Sequence, residues 1–147
     1  MTSGSAGDKP ERVWGFYYGG LINPKVMQQL GMAPAAQDVA MLPGYELQIS
    51  PLMNLVRNDR QTAYGLLLLL THDEIAHVYG QLKAKYYPYP VLARDREGRE
   101  RAALCYLLPK LEPGQAEAQY VTNLLEPATA LGFPGWYLDR IRSFLPR

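Results

Sequence analysis

The sequence contains a single cysteine, Cys105, in a chain of 147 residues. An internal disulfide framework is therefore excluded, and so are most metal sites built on thiolates. Cys105 lies in the apolar run ALCYLL, which indicates a buried structural thiol rather than a nucleophile.

The chain also lacks an excess of either charge. Its net charge is +1, so no electrostatic argument favours nucleic acid or an anionic membrane as a partner. A small molecule or another protein is the expected partner.

Long hydrophobic runs are missing as well. The apolar stretch Gly65–Leu70 is far shorter than the roughly 20 residues that a membrane helix requires. Residues 1–9 are small and polar, which favours a disordered tail over a signal peptide. A cytoplasmic protein is the resulting expectation.

Histidine is scarce, and its two occurrences are poorly placed for metal binding. His72 and His77 are five residues apart, a spacing that does not put them on one helical face. Neither an HExxH motif nor a carboxylate cluster accompanies them, so solvated helix residues are favoured over ligands. The sequence predicts no metal and no cofactor.

The composition that is present is that of an ordinary globular domain, with 48% hydrophobic and 20% charged residues. A chain of this length can bury a substantial core. We therefore predict one domain over residues 12–147, preceded by a disordered tail over residues 1–11.

The spacing of apolar residues predicts an α+β fold with a mixed, barrel-like sheet and helices at one end. Pro43-Gly44 is interpreted as a turn that divides one strand segment into two pieces. The predicted strands cover residues 12–18, 38–50, 61–70 and two segments joined by a turn at 95–98, and the predicted helices cover 23–31, 71–82, 116–132 and 134–145. The last helix carries an apolar stripe of Trp136, Tyr137, Ile141, Phe144 and Leu145.

Two adjacent glycines, Gly19 and Gly20, interrupt the N-terminal stretch WGFYYGGLINP. They follow a predicted strand and precede a predicted helix with Asn23 as its N-cap and Pro24 at its first position. Backbone N–H groups at such a junction can face an anion. The pair therefore indicates either a structural turn or a place where a ligand approaches the backbone closely.

Two further features have a structural and a functional interpretation. Glu74 stands three residues after Thr71 in a capping box, which explains it better than a catalytic role does. The tyrosines at 86, 87 and 89 alternate with prolines, and the neutral charge balance favours a wall of the core or a pocket over base stacking.

Several segments of the sequence, in the order in which they occur, resemble those of the γ-glutamylcyclotransferase-like family. YYGGLINPKVM is similar to the YGSN-type loop that opens that family, and PAAQDVAMLPGYELQIS and TAYGLLLLLTHDEI follow as its strands do. The ending YVTNLLEPATALGFPGWYLDRIRSFLP resembles the family's C-terminal signature. The resemblance covers the chain from about Val13 to Arg147.

This resemblance implies a small mixed β-barrel with flanking helices, two C-terminal helices and a pocket at one end. In the family, loop amides hold the carboxylate end of a γ-glutamyl substrate. A glutamate on the short helix takes a proton from the substrate's α-amino group, which attacks the γ-carbonyl and releases an amine and 5-oxoproline. The corresponding cradle here is Tyr18, Gly19, Gly20 and Leu21.

The sequence departs from that pattern at the residues that carry the chemistry. Gly20 and Leu21 stand where the family usually has Ser and Asn. The position of the catalytic glutamate falls on Leu82 or, with a shift of one residue, on Gln81. Neither side chain can act as a base. The catalytic residue is thus unassigned, with Glu74 as a weak candidate and Glu46 as another.

Three functions follow as hypotheses. The first is a γ-glutamylcyclotransferase-like protein that binds a small amine, amide or amino-acid-like ligand and lacks the standard activity. The second is an active cyclotransferase or related acyl-transfer enzyme with a relocated carboxylate, and the third is a non-catalytic interaction or assembly domain. A homodimer is left open. The residues predicted to bind the ligand are Tyr17, Tyr18, Gly19, Gly20, Leu21, Tyr79, Leu82, Tyr87 and Tyr89.

Overall fold

A computed structural model of the chain describes residues 11–82, 84–109 and 114–146. Almost all of the predicted N-terminal tail, residues 1–10, lies outside the described residues. The elements are β1 (Arg12–Tyr17), a 3₁₀ turn (Gly20–Ile22), α1 (Pro24–Gln29), β2 (Gln37–Ile49), β3 (Met53–Thr71), α2 (His72–Gly80), β4 (Tyr87–Arg94), β5 (Glu100–Leu107), α3 (Ala118–Ala130) and α4 (Gly135–Arg142).

The five strands form a closed sheet in the order β1-β3-β2-β4-β5. Strand β1 pairs antiparallel with β3 and parallel with β5, where Phe16 lies opposite Cys105. The predicted α+β fold with a mixed sheet and flanking helices is therefore confirmed. Closure between the first and last strands brings the end of β1 close to the end of β5.

Strand β3 lies at the centre of the core. It pairs with β1 on one side and β2 on the other, so its apolar run contacts neighbours along both edges. Leu66, Leu67, Leu68 and Leu70 are at most 2% exposed. Each such leucine contributes about 1.5–3 kcal/mol by leaving water, so this strand contributes substantially to stability.

The prediction of two strand pieces around Pro43-Gly44 is wrong, because β2 is one strand. The pairing with β3 shifts register between Pro43 and Tyr45, and Gly44 has φ of +86°. A bulge can take up an extra residue and bend a strand without ending its pairing. Here Gly44 supplies the left-handed backbone that the bend requires.

Local capping begins the two short helices as predicted. The Asn23 side chain accepts a hydrogen bond from the Lys25 N–H at 3.0 Å, and Pro24 occupies the first position of α1. At α2, Thr71 and Glu74 form a complete capping box. These bonds satisfy backbone donors that a helix start leaves without partners.

The C-terminal helices pack against the outside of the sheet. Tyr137 and Ile141 of α4 are 2% and 1% exposed, and the Tyr137 hydroxyl donates to the Tyr64 carbonyl at 3.4 Å. Trp136 was assigned to the same apolar stripe, but it is 48% exposed and touches the Tyr64 ring only at an edge. No helix among the described residues is long and apolar enough to cross a membrane.

Candidate functional site

A cavity of about 510 Å³ opens where β1 ends at the glycine pair. Its walls come from the 3₁₀ turn, α1, the start of β3, the end of α2, the segment before β4 and the first turn of α3. Elements that are far apart in sequence therefore meet at one end of the sheet. A volume of this size is in the range of small-molecule sites.

The structure brings seven of the nine predicted ligand-binding residues into the wall of this cavity. They are Tyr17, Tyr18, Gly19, Gly20, Leu21, Tyr79 and Leu82.

Tyr87 and Tyr89, also predicted to bind the ligand, do not line this cavity. Both lie at the start of β4 and are 42% and 41% exposed. This half of β4 pairs with β5 only, because the pairing with β2 is confined to Met41 and Arg94. Side chains on such an edge alternate between the two faces as they do inside the sheet, but here the core does not cover them.

Sequence reasoning missed several residues that complete the wall. Val26 and Leu30 are four residues apart on α1, a spacing that could have indicated one helical face. Tyr120 at the start of α3 carries no such signal, because only the fold brings it to the N-terminal loop.

The glycine loop forms one tight turn. The Ile22 N–H donates to the Gly19 carbonyl at 3.0 Å, and the Asn23 N–H donates to the Gly20 carbonyl at 3.1 Å. The Gly20 and Leu21 N–H groups come before Ile22, so they are not donors in the hydrogen bonds of this turn. Gly19 has φ of −118°, so a left-handed backbone is not the reason for this glycine.

The other reason for a glycine is that a neighbouring atom lies too close for a Cβ atom, and placing a Cβ at each position tests this. At Gly20 it would meet no heavy atom within 4 Å, and at Gly19 it would lie 3.1 Å from the Met53 sulfur. No neighbouring backbone therefore demands a glycine at either position. What Gly20 does provide is open space beside the backbone at the cavity.

Two tyrosine hydroxyls beside the cavity donate hydrogen bonds to backbone carbonyls. The Tyr18 hydroxyl donates to the Tyr106 carbonyl at 2.7 Å, and the Tyr86 hydroxyl donates to the Met53 carbonyl at 2.7 Å. The Tyr79 ring stacks on the Tyr106 ring with 4.0 Å between centroids. These contacts fix the rings in place and occupy the hydroxyl protons of Tyr18 and Tyr86.

Burial changes the acidity of the same tyrosines. It is the main cause that raises the pKa of Tyr17, Tyr18, Tyr79 and Tyr86 above the ordinary value. The buried Tyr17 hydroxyl has no hydrogen-bond partner among the described residues. This end of the molecule therefore disfavours a charged form of these side chains.

The two positions that the resemblance assigns to the catalytic glutamate, Gln81 and Leu82, both line the cavity. Both residues directly follow α2, and Leu82 is 46% exposed. The Gln81 side-chain nitrogen lies 2.9 Å from the His77 ring nitrogen Nε2. Among the described residues that line the cavity there is no Asp, Glu, His, Lys or Arg.

Glu74 is occupied elsewhere. Its carboxylate accepts hydrogen bonds from the Thr71 and Ala33 N–H groups, both at 2.9 Å, and lies 3.5 Å from the Arg12 guanidinium. Burial raises the pKa of Glu74, but these hydrogen bonds and Arg12 outweigh it, so the pKa is lowered. Glu74 is not among the cavity residues.

Glu46 is also remote from the cavity. Its carboxylate accepts a hydrogen bond from Asn58 at 2.9 Å and pairs with Arg140 at 3.2 Å, and Gln48 is a further partner. It too is absent from the cavity wall.

Cys105 has the environment expected of a structural thiol. It is fully buried on β5, and burial raises its pKa to about 12, so it stays protonated at neutral pH. The described residues contain no group of three or more His, Cys, Asp or Glu side chains that could hold a metal ion.

A closed five-stranded mixed sheet, a strand-to-turn-to-helix loop at a cavity and two C-terminal helices define the γ-glutamylcyclotransferase-like fold, and the chain has this fold. A solved structure named Gamma-glutamyl cyclotransferase superposes with a TM-score of 0.79 at 17% identity, over 93% of this chain and 90% of that one.

Two further structures show the same likeness. The uncharacterized protein loc79017 from Homo sapiens has a TM-score of 0.78 at 16% identity, over 93% of this chain and 90% of that one. YkqA from Bacillus subtilis has a TM-score of 0.72 at 18% identity, over 92% of this chain and 56% of that one. No protein-family model matches the sequence, and no curated protein matches it. At such identities the likeness establishes the fold, and function has to be argued from the cavity.

Proposed function

We propose that the chain binds a small amine, amide or amino-acid-like ligand in the cavity beside Gly19 and Gly20, and that it does not catalyse the standard cyclisation. The observation that carries this proposal is the pair Gln81 and Leu82 in the cavity wall, where the resemblance requires a glutamate. A cytoplasmic location is part of the same proposal.

The missing glutamate matters because the cyclisation begins with proton removal from an ammonium group. A positioned general base contributes about 10²–10⁴-fold to such a step, and it must lie within hydrogen-bond reach of the proton. Leu82 has no proton acceptor, and the Gln81 amide is not basic. The ligand would therefore be held without being activated.

The rival hypothesis of a relocated carboxylate finds no support in the geometry. Glu74 already accepts hydrogen bonds from two backbone amides and faces Arg12, and its lowered pKa makes it a weaker base. Glu46 is held by Asn58 and Arg140 outside the cavity. Moving either group to the ligand would leave these partners unsatisfied.

A direct assay tests the proposal. Purified protein is incubated with γ-glutamyl amino acids, and 5-oxoproline is measured against a buffer blank. We expect no release above the blank. Robust turnover that Glu74→Gln abolishes would contradict the proposal and establish a relocated carboxylate.

Leu82→Glu tests whether the cavity has kept the geometry for cyclisation. A carboxylate beside this apolar wall should have a pKa above the free value of about 4.3, because desolvation disfavours its charged form. We expect a trace of 5-oxoproline from this variant and none from the parent. Leu92→Glu is the matched control, since Leu92 is 57% exposed and lies outside the cavity. An inert but folded Leu82→Glu variant would mean that the loop does not hold a γ-glutamyl group.

A further inference from the structure

The chemistry of the cavity wall restricts the ligand further. Apart from the glycine backbone and Gln81, the described wall consists of aliphatic, methionine and tyrosine side chains. None of these described residues carries a full charge at neutral pH that could pair with a charged ligand. A ligand ammonium group would leave water without an anionic partner among these residues, which is strongly disfavoured, and a carboxylate would find the loop amides but no cationic side chain.

Tyrosines contribute rings to this wall more than donors. The hydroxyl protons of Tyr18 and Tyr86 are bonded to the Tyr106 and Met53 carbonyls. The buried Tyr17 hydroxyl oxygen is shielded from solvent and has no partner among the described residues. A ligand that enters the unaltered cavity therefore meets aromatic surface from these residues.

The backbone of the glycine loop supplies hydrogen-bond donors besides the Gln81 side chain. The Gly20 and Leu21 amides precede Ile22, which donates the first hydrogen bond of the turn. Gly20 is exposed, and no heavy atom lies within 4 Å of the position that its Cβ would take. A ligand acceptor can approach the Gly20 backbone without displacing a side chain.

On the basis of the proposed function, we infer that the ligand is an uncharged molecule with an aromatic or aliphatic body and a carbonyl acceptor, such as a carboxamide, rather than a zwitterionic γ-glutamyl amino acid. The body packs among the tyrosine rings and leucines, and the carbonyl oxygen accepts from the loop amides. Neither end requires a charged partner.

The acidity of the tyrosines agrees with this inference. Burial raises the pKa of Tyr17, Tyr18, Tyr79 and Tyr86, so the surroundings disfavour charge on four side chains of the wall. The same surroundings disfavour the charge of a bound carboxylate or ammonium group.

A matched set of probes with one ring system tests the inference by calorimetric titration of the full chain. The probes are 2-naphthamide, 2-methylnaphthalene, 2-naphthoate, 2-(aminomethyl)naphthalene and γ-glutamyl-2-naphthylamide. We expect 2-naphthamide to bind at least tenfold more tightly than either charged naphthalene and than the γ-glutamyl compound. It should bind several-fold more tightly than 2-methylnaphthalene, which cannot accept from the loop.

Two variants place the binding in the cavity. Leu82→Glu should weaken 2-naphthamide and 2-naphthoate and strengthen 2-(aminomethyl)naphthalene, because it adds a negative charge to the wall. Leu92→Glu adds the same charge outside the cavity and should leave all affinities at the parent values. Equal effects of both variants would overturn the inference.

The remaining outcomes separate this inference from the proposal on which it rests. Tighter binding of the γ-glutamyl compound or of a charged probe would overturn the inference but leave a ligand-binding cavity in place. The absence of binding by all five probes would overturn both.

Discussion

At the scale of single residues, the glycines in and around β1 are needed for two different reasons. At Gly65 an added Cβ would overlap the Tyr17 backbone carbonyl, and at Gly15 it would overlap the Tyr17 ring. Gly65 allows β3 to pack closely against β1, whereas Gly15 leaves room for the Tyr17 ring of its own strand. At Gly20 an added Cβ would meet nothing within 4 Å, and at Gly19 it would meet only the flexible Met53 side chain.

This contrast predicts opposite effects of the same substitution. Gly65→Ala should destabilise the protein by about 1–3 kcal/mol or more, because backbone rather than a flexible side chain would have to move. Gly20→Ala should be neutral or stabilise by about 0.4–1 kcal/mol, since it restricts the unfolded chain without a clash. Urea unfolding of both variants and the parent provides the comparison.

Gly19→Ala is the intermediate case, because the neighbour at 3.1 Å is the flexible Met53 side chain. It should fall between the other two variants in stability. Equal destabilisation by Gly20→Ala and Gly65→Ala would show that the open backbone at Gly20 has a structural role.

At the scale of elements, Glu74 connects three parts of the chain. It caps α2 through Thr71, accepts from the Ala33 N–H in the segment before β2, and faces Arg12 of β1. A residue that sequence reasoning interpreted as a local cap is therefore also a long-range tie. The tie holds α2 in the position from which Leu82 reaches the cavity.

Glu74→Gln tests this tie. Glutamine can still accept from Thr71, but its amide nitrogen cannot accept from Ala33, and the charge facing Arg12 is lost. We expect a loss of about 1–2 kcal/mol in the free energy of unfolding at neutral pH. Glu126→Gln on the exposed face of α3 is the matched control and should have little effect.

The pH dependence of stability provides a second test of Glu74. The pKa of Glu74 is lowered in the folded protein, so its contribution is present above the ordinary value of 4.5 and is lost as the pH falls through the folded pKa. The difference between parent and Glu74→Gln should therefore shrink in acid. A difference that grows in acid would contradict this role.

At the scale of the whole molecule, folding buries tyrosines from several elements. Tyr17 and Tyr18 come from the end of β1, Tyr79 from α2 and Tyr137 from α4, and burial raises the pKa of each hydroxyl. The protonated form is thus the one that the fold accommodates.

Alkaline conditions should therefore unfold the protein cooperatively. Above about pH 10 the unfolded chain releases tyrosine protons that the folded chain retains, so the free energy of unfolding falls as the pH rises. We expect tyrosinate absorbance to rise together with the loss of circular dichroism, whereas urea-denatured protein should titrate near 10. Ionisation of all tyrosines with the dichroism intact would contradict this expectation.

The sequence predicted the features that depend on neighbouring residues. Asn23 and Pro24 begin α1, and Thr71 and Glu74 begin α2, because a cap is made within three residues of the helix start. The apolar stretch Gly65–Leu70 likewise falls in a predicted strand, and most of it is buried in β3. The order of the motifs was enough to indicate the fold.

Only the tertiary structure decided which side chains meet at the cavity. Tyr120 joins the N-terminal loop and Tyr89 does not, because the position of α3 and the unpaired edge of β4 result from contacts between residues far apart in sequence. The second bond of Glu74, to Ala33, has the same origin. Local patterns set which element forms, since their energies arise within a few residues, whereas the composition of a cavity depends on how the closed sheet brings distant elements together.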